Sequence, residues 1–352
     1  MTEKDANAKD ITIYDIAEEA GVSPATVSRV LTQSAKVSQA KQEAVEKVIR
    51  KYKFRPNAMA RSLSDTQSKV LGVIVADIRN PYYAALAVEC EIAANRQGYT
   101  VIVCNALSDR KLEDMNLEKL YEQRVDAIIQ IGCSVDDLVS DEGYVANVNR
   151  VSRTIPFVIT GKLDGADCYR LSIDDNLAMD LVMEHLAGLG HRRIAFIGGA
   201  RDVRSSYEKW QRFIYLLGKY DLEYREDFIL EASYNHEEGR RATRQLLESV
   251  PAGQLPTAII AVNDYAAVGI VEGLLQHGLS VPDDISVISF DNTFLCNIIT
   301  PRLTSIDYNY PLFGERLVNI AIRASRKRAV QKEQIIVPSL AVRDSTGPVS
   351  KF

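Results

Sequence analysis

Residues 12–31 constrain the fold of this chain more than any other stretch, because they predict two short helices joined by a tight turn. A capping-box pattern begins at Thr12 and starts the first helix. Gly21 ends that helix, since glycine adopts the left-handed conformation of a tight turn at little cost. Ser23 can then cap the second helix, and Pro24 suits its first position. The stretch therefore predicts a helix-turn-helix.

The second of these helices has an apolar face and a polar face. The apolar face, spaced for packing into a core, comprises Val27, Val30 and Leu31. The outer face comprises Ala25, Thr26, Ser28 and Arg29. A third helix after Ser38 can close a three-helix core with Val45, Val48, Ile49 and Tyr52. Small and polar outward side chains are what insertion into the DNA major groove requires, because acidic groups would repel the phosphates. We expect a DNA-binding domain over residues 1–54.

A second short element follows at residues 55–63, within a hinge and linker segment expected over residues 55–68. Pro56 starts about two turns of helix, and a helix this short is marginal alone in water. Leu63 lies at its end, where an apolar side chain can wedge into a minor-groove base step and kink the duplex. The alternative is a simple linker whose Leu63 packs on a neighbouring domain.

Residues 69–352 belong to a different class of structure. Valine-rich apolar runs such as 70–76, 125–131 and 257–262 alternate with amphipathic helices. This alternation predicts parallel sheets with right-handed crossovers, and hence an α/β fold with two lobes. The chain contains no Gly-x-Gly-x-x-Gly after a strand, no phosphate-binding loop and no Gly-x-Ser-x-Gly elbow. We therefore expect neither catalysis nor a cofactor, and no metal site.

Charge and composition agree with a soluble DNA-binding protein. Residues 1–63 contain 11 Lys and Arg against 8 Asp and Glu, a net charge of +3. The whole chain carries −5, so the remainder carries −8. A mildly basic head on an acidic body suits local contact with DNA. Without an apolar run of membrane length, a secretory signal or a Cys-x-x-Cys motif, the chain is expected to be cytoplasmic, with reduced thiols and no membrane contact.

Ligand contacts are expected in the loops beyond the carboxyl ends of the strands. The informative loops are Asp77–Tyr83, Gly198–Asp202, Asn263–Asp264 and Asp291–Asn292. They combine carboxylates, amides and aromatic rings. Planar rings stack on the C–H faces of sugars, while carboxylates and amides bind the hydroxyls. Each pattern alone is usually a helix cap or a core contact, and their shared position at strand ends is what favours a ligand site.

The chain resembles the LacI/GalR family of bacterial transcription repressors, through residues 12–31, residues 55–63 and later segments between about 11 and 346. The resemblance implies a homodimer that reads a palindromic double-stranded operator. It places Ala25, Thr26 and Arg29 on the recognition helix, with Arg29 as the candidate for a guanine contact. The implied positioning contacts to phosphates or groove edges are Thr12, Tyr14, Ser23, Ser28, Lys36 and Ser38. The implied hinge contacts are Asn57, Ala60, Arg61 and the intercalating Leu63.

The same resemblance implies a periplasmic-binding-protein-like effector domain with two interwoven lobes. The lobes are expected to comprise 69–162 plus 293–327, and 163–292 plus 328–347. The implied effector-binding residues are Tyr82, Tyr83, Ser205, Lys209, Tyr234, Asn263 and Asp291. In this set Tyr234 stacks on the ligand and Asp291 accepts its hydroxyls. A ligand would act on DNA by shifting the population of two states of the dimer.

The chain departs from its relatives at Lys209, where they commonly have Arg, and at Arg212, where they have Gly. With Arg201 and Arg204, these cations suit a sugar phosphate, although Arg201 and Arg204 are equally compatible with a solvated surface. Alternatively, Lys209 marks a catabolite-control type of regulator whose corepressor is a phosphorylated protein. A solute-binding protein without a regulatory role is the remaining alternative, and it would need a signal peptide and no DNA-binding head. The last ten residues lack the leucine heptad of tetrameric relatives, which favours a dimer.

Overall fold

The computed structural model describes residues 11–32, 36–52, 54 and 67–349. Contacts divide the chain into two compact units, residues 1–68 and 69–352. The predicted hinge contacts Asn57, Ala60, Arg61 and Leu63 lie outside the described residues. Their roles therefore remain predictions from the sequence.

The first unit contains three helices, namely α1 (Ile13–Ala20), α2 (Pro24–Thr32) and α3 (Gln39–Tyr52). The capping box at Thr12 is formed in both directions, and Gly21 adopts the left-handed conformation with φ of 62°. The hydroxyl of Ser23 accepts a hydrogen bond from the amide of Thr26 at 3.3 Å, as expected of a helix cap. The turn between α1 and α2 therefore has the predicted conformation.

The three helices share a small apolar core. Val27 and Val45 are fully buried there, together with Ile16 from α1. Tyr52 does not join this core, contrary to the sequence prediction, because 39% of the residue is exposed. Its hydroxyl instead donates a hydrogen bond of 2.5 Å to Glu19. A phenol at the end of a helix reaches water and a carboxylate more easily than it fills a core.

The second unit contains two six-stranded sheets, one in each lobe. The first lobe contains β1 (Val70–Val75), β2 (Thr100–Asn105), β3 (Ala127–Ile131), β4 (Phe157–Ile159), β5 (Tyr169–Ile173) and β11 (Glu333–Ile336), in the order β11-β5-β4-β3-β1-β2. The second lobe contains β6 (Ile194–Ile197), β7 (Ile229–Leu230), β8 (Ala258–Ala261), β9 (Ser286–Asp291), β10 (Thr304–Asp307) and β12 (Ser339–Ala341), in the order β12-β10-β9-β8-β6-β7. All described pairings are parallel except that of β10 with β12.

Helices cover both sheets, as parallel strands require. They are α4 (Pro81–Arg96), α5 (Arg110–Glu122), α6 (Glu142–Ser152), α7 (Asp175–Gly188), α8 (Arg204–Lys219), α9 (His236–Ser249), α10 (Asp264–Gln276), α11 (Leu295–Ile298) and α12 (Tyr310–Ser325). Central strands such as β3 and β8 are buried along their whole length. Within the part of the chain that the structure describes, no helix is both long and apolar enough to cross a membrane.

The expected limits of the two lobes are wrong at three strands. β5 and β11 pair with each other in the first lobe, although both were assigned to the second. β10 pairs with β9 in the second lobe, although it was assigned to the first. The chain thus crosses between the lobes after β5, after β10 and after β11. Short apolar strands are equally compatible with either sheet, and only hydrogen-bond pairing decides which one they join.

Candidate functional site

The predicted DNA contacts that the structure describes lie at or near the surface of the first unit. Those with exposed side chains are Thr12, Tyr14, Ser23, Ala25, Arg29, Lys36 and Ser38. Thr26 and Ser28 are half-buried, and the hydroxyls of Ser23 and Thr26 lie 3.0 Å apart. The contact between these two hydroxyls stabilises the start of α2. Both hydroxyls also lie on the outer side of the helix.

The outer face of α2 has the shape and charge that a DNA groove requires. Ala25 and Arg29 are exposed on this helix, which contains no acidic residue. Behind them Val27 is fully buried and fixes the helix against the core. A small, cation-bearing face on a rigid helix can approach base edges without repelling the phosphates.

In the second unit, a cavity of about 130 Å³ lies between the two lobes. It is lined by residues from the carboxyl ends of strands in both sheets and by the first turns of three helices. All seven residues predicted to bind the effector line it, namely Tyr82, Tyr83, Ser205, Lys209, Tyr234, Asn263 and Asp291. The structure therefore brings together side chains that are more than 200 positions apart in the sequence.

Tyrosine rings form part of the side of the cavity that the first lobe contributes. Asn80 caps α4 by accepting a hydrogen bond from the amide of Tyr82 at 3.1 Å, which fixes the start of the helix. The rings of Tyr82 and Tyr83 meet edge to face with centroids 5.1 Å apart, and Tyr308 meets Tyr82 at 6.2 Å. Burial raises the pKa of Tyr82 and Tyr83 well above the usual value, so both are neutral hydrogen-bonding phenols.

Lys209, the departure from the usual arginine, is a buried and paired cation. Its Nζ lies 2.7 Å from a carboxylate oxygen of Asp175, and its side chain is 8% exposed. The ammonium also lies 5.2 Å from the ring centre of Phe290. The charge of Lys209 is therefore partly balanced within the protein by the carboxylate of Asp175. Asp175 lines the cavity, and the sequence analysis did not predict it as a site residue.

Asp291 is held in a strained and desolvated position at the end of β9. Its φ of 103° lies in the region that favours glycine, which costs a non-glycine residue on the order of 1–3 kcal/mol. Burial and the nearby carboxylate of Asp264 raise the pKa of Asp291 well above its usual value, while Lys209 lowers it. A carboxyl group kept in such a place is suited to exchange hydrogen bonds with a ligand that displaces water.

Asn263 and Tyr234 both line the cavity and also support the fold around it. The carboxamide oxygen of Asn263 accepts a hydrogen bond from the amide of Ala266 at 2.8 Å and so caps α10. Its amide nitrogen donates to the carbonyl of Tyr234 at 3.2 Å. The hydroxyl of Tyr234 lies 2.7 Å from that of Ser206, and burial raises the pKa of Tyr234 to about 12. Their positions are as predicted, but part of their hydrogen-bonding capacity is already used.

The cationic part of the site differs from the sequence prediction. Arg201 is on the surface with 81% of its side chain exposed, and Arg212 forms a bidentate pair with Asp180. Neither lines the cavity, so neither is part of the suggested phosphate site. Arg204 does line the cavity and is only 14% exposed, which excludes a solvated surface position for it. Arg170, which the sequence analysis missed because it lies within a strand, also lines the cavity.

Asp136 is a second carboxyl group that the sequence analysis did not predict. It lines the cavity from the loop after β3. Desolvation, and then the neighbouring charge of Asp175, raise its pKa to about 7, while Lys209 lowers it. The only signal in the sequence was its place after an apolar strand, which many structural aspartates share.

A short backbone bridge joins the two lobes next to the cavity. The amide of Leu138 donates to the carbonyl of Asp202 at 2.7 Å, and the amide of Arg204 donates to the carbonyl of Asp136 at 2.7 Å. The guanidinium of Arg204 also donates to the carbonyl of Leu138 at 2.6 Å. These three bonds join the two lobes beside the cavity. We name this contact between residues 136–138 and 202–204 the interlobe clasp.

Two family models match the chain in the order of its two units. Residues 12–57 match the bacterial regulatory proteins of the lacI family, and residues 183–346 match a periplasmic binding protein-like domain. Catabolite control protein A of Staphylococcus xylosus is 31% identical, with 93% of this chain and 96% of the relative covered. This chain belongs to the LacI family.

Other members agree with that assignment. The regulator DegA of Bacillus subtilis is 28% identical over 96% of this chain and 99% of its own length. The structure of the Lac repressor dimer bound to operator and an anti-inducer matches with a TM-score of 0.85, at 27% identity, with 96% of this chain and all of that chain covered. The chain is thus a DNA-binding transcriptional regulator with an effector domain. Its relatives are regulators rather than enzymes, in agreement with the sequence prediction.

Proposed function

We propose that this LacI-family regulator is a repressor whose affinity for a palindromic operator is set by a small hydroxylated ligand, of the sugar class, bound between the lobes. The observation that carries the proposal is the cavity between the lobes, where seven predicted residues meet. Its tyrosine rings suit the C–H faces of a sugar, and the carboxyl groups and amides suit its hydroxyls.

The interlobe clasp supports a mechanism for the switch. A ligand that contacts residues of both lobes binds the closed state more tightly than the open state. This difference in affinity is the only way in which the ligand can shift the population toward the closed state. In this proposal, closure changes how the first lobes of the dimer meet. The hinge predicted at residues 55–63 then orders or disorders, because two turns of helix need a partner to fold.

The proposed homodimer is supported by apolar side chains that the single chain leaves exposed. Val88 on α4 is 53% exposed and Val103 on the edge strand β2 is 39% exposed, while Phe294 and Ile298 around α11 are 62% and 68% exposed. Exposed apolar side chains such as these are available for contact with a second copy of the chain. The Lac repressor, which has the same fold, was solved as a dimer on its operator. A monomer in sedimentation equilibrium at micromolar concentration would contradict the proposal.

A ligand screen with one paired variant tests the function. The full-length protein is heated with a panel of sugars, sugar phosphates and nucleobases, and hits are assayed for their effect on binding to an operator selected from random duplexes. Asp291→Asn should abolish the response, because asparagine tolerates the positive φ but cannot act as a carboxylate. Asp307→Asn is the matched control, since Asp307 is the register partner of Asp291 on β10 and lies outside the cavity lining.

A second candidate is control by a phosphorylated protein in place of a small ligand. The observation in its favour is that several relatives are named catabolite control protein A, at 29–31% identity. The screen distinguishes the two candidates. A wild-type protein that no small molecule stabilises would contradict the sugar proposal and favour the protein corepressor.

A further inference from the structure

Arg170 differs from the other two cations of the cavity because it has no ionic partner among the residues that the structure describes. Lys209 is paired with Asp175 at 2.7 Å, and Arg204 lies 3.6 Å from Asp164 and donates to a backbone carbonyl. The side chain of Arg170 forms neither an ion pair nor a hydrogen bond with any residue that the structure describes, and its Nε is buried. A guanidinium with a buried donor that has no acceptor is costly to keep.

The position of Arg170 is fixed by the first lobe's sheet. It lies on β5, level with Ile159 of β4 and with Glu333 of β11, and Glu333 is exposed and forms no ion pair with it. Ser172, two residues further on, also lines the cavity. Arg170 is therefore presented to the cavity by a rigid strand, with little freedom to seek a partner elsewhere.

Arg204 lies close to the same end of the cavity. Its Nε is also buried without a hydrogen-bond partner. Both arginines act on Asp164, whose pKa is lowered mainly by Lys162 and to a smaller extent by Arg204 and Arg170. Asp164 is itself an exposed residue and does not line the cavity. Two incompletely satisfied guanidinium groups therefore border one part of the cavity.

We propose that Arg170, assisted by Arg204, forms an anion subsite in the effector cavity, and that the effector is a sugar bearing a phosphate or a carboxylate. This inference rests on the proposed function. The planar guanidinium of Arg170 binds such a group through two parallel N–H donors. The carboxyl groups of Asp136 and Asp291, which would repel an anion, serve the hydroxyls of the sugar instead. The site of the anion is thus distinct from Lys209, whose charge Asp175 already balances.

Calorimetric titration of the full-length protein tests the subsite with matched probes. The probes are D-glucose, D-glucose 6-phosphate and D-gluconate, D-fructose with its 6-phosphate, and inorganic phosphate alone. The wild type should bind at least one anionic sugar more tightly than its neutral parent. Comparison of the affinities for D-glucose 6-phosphate and D-gluconate identifies whether the subsite binds a phosphate or a carboxylate. Arg170→Gln should weaken the preferred anionic sugar about 10- to 100-fold and leave the neutral parent unchanged.

Two further variants separate binding from folding. Arg170→Lys should restore part of the preference for the anion, because it keeps the charge but loses the planar fork. Arg212→Gln removes a guanidinium that is paired with Asp180 outside the cavity, and it should keep the full preference. Arg170→Gln should also have a melting temperature no lower than that of the wild type, since it removes an unpaired cation.

The possible failures are distinguishable. If neutral and anionic sugars bind equally well, or if Arg170→Gln keeps the preference, the anion subsite is wrong and the proposed function stands. If Arg170→Gln weakens the neutral and anionic sugars alike, Arg170 supports the cavity and does not hold an anion. If no probe binds the wild type, both the subsite and the sugar-controlled function are contradicted.

Discussion

The outer face of α2 and the cavity between the lobes place charged side chains in opposite environments. Arg29 is exposed on a short helix, and the residues that position it lie within about twenty positions of it. Lys209 is buried, contacts Asp175 and Phe290 from two other segments of the chain, and lowers the pKa of Asp136 through its charge. An exposed cation is kept for a partner outside the molecule, whereas a buried one also contributes to the stability of the fold.

This contrast teaches that the same substitution has different consequences in the two places. Removing an exposed cation alters recognition and leaves folding almost unchanged. Removing one partner of a buried pair leaves an uncompensated charge in the interior. Stability and ligand response are therefore coupled in the cavity, while stability and DNA specificity are separable on α2.

The largest effect is expected for Lys209→Ala. It leaves the carboxylate of Asp175, whose side chain is 18% exposed, without its cation. The free energy of unfolding of the effector domain should fall by about 3–5 kcal/mol, measured by urea titration. Arg212→Ala on the same helix is the control, and it should cost at most about 1 kcal/mol because the pair with Asp180 is more exposed. Equal losses for the two variants would remove the distinction between the buried and the exposed pair.

The pH dependence of stability gives the next largest effect. The pKa of Asp136 is raised to about 7, so the folded protein keeps this proton between about pH 4 and pH 7 while the unfolded chain releases it. The contribution of Asp136 to the free energy of unfolding therefore falls as the pH rises through this interval. Asp136→Asn should flatten that decline by up to roughly 4 kcal/mol, at about 1.4 kcal/mol for each unit of pKa shift.

Asp164→Asn is the matched control for this experiment. The pKa of Asp164 is lowered, chiefly by Lys162, so this residue contributes stability that is present above its ordinary pKa and is lost on acidification. Its substitution should change the curve with the opposite sign. Glu113, whose pKa burial also raises to about 7, keeps part of the decline in both variants. An unchanged decline in Asp136→Asn would show that the group titrates normally.

The smallest effect on free energy is expected for Arg29→Ala. It should cost about 1–3 kcal/mol of operator binding and relax the preference at one base pair, while the melting temperature stays the same. Fluorescence anisotropy with a selected operator and its single-base variants measures both. Arg50→Ala, on the exposed side of α3, is the control and should keep the ranking of the sequences. If Arg29→Ala keeps that ranking too, another residue reads the base.

Local patterns in the sequence were sufficient wherever the stabilising contacts are local. The capping box at Thr12, the left-handed Gly21 and the Ser23 cap form within a few residues of each other. Their geometry depends on backbone dihedral angles and neighbouring hydrogen bonds, which the amino-acid types restrict directly. β1, β3 and β8 of the effector domain were likewise predicted within two residues from the apolar runs 70–76, 125–131 and 257–262.

Local sequence patterns did not determine which strands that are distant in sequence pair with each other. The placement of β5, β10 and β11 depends on which sheet offers a free edge, and their composition fits both. Arg170 gave no signal in the sequence, and its lack of a partner among the described residues is visible only once β4 and β11 stand beside it. The resemblance to the family placed seven residues in the cavity, but it did not reveal Asp136 or Asp175.

The sequence by itself determined the classes of structure and of function: a helix-turn-helix head followed by a two-lobed α/β effector domain, in a LacI-family regulator. The tertiary structure decided which charges are satisfied. It pairs Lys209 with Asp175, desolvates Asp136 and, within the described part of the chain, leaves Arg170 unpaired. The physical reason is that the energy of a charge depends on its distance from other charges and from water, and the folded chain sets both.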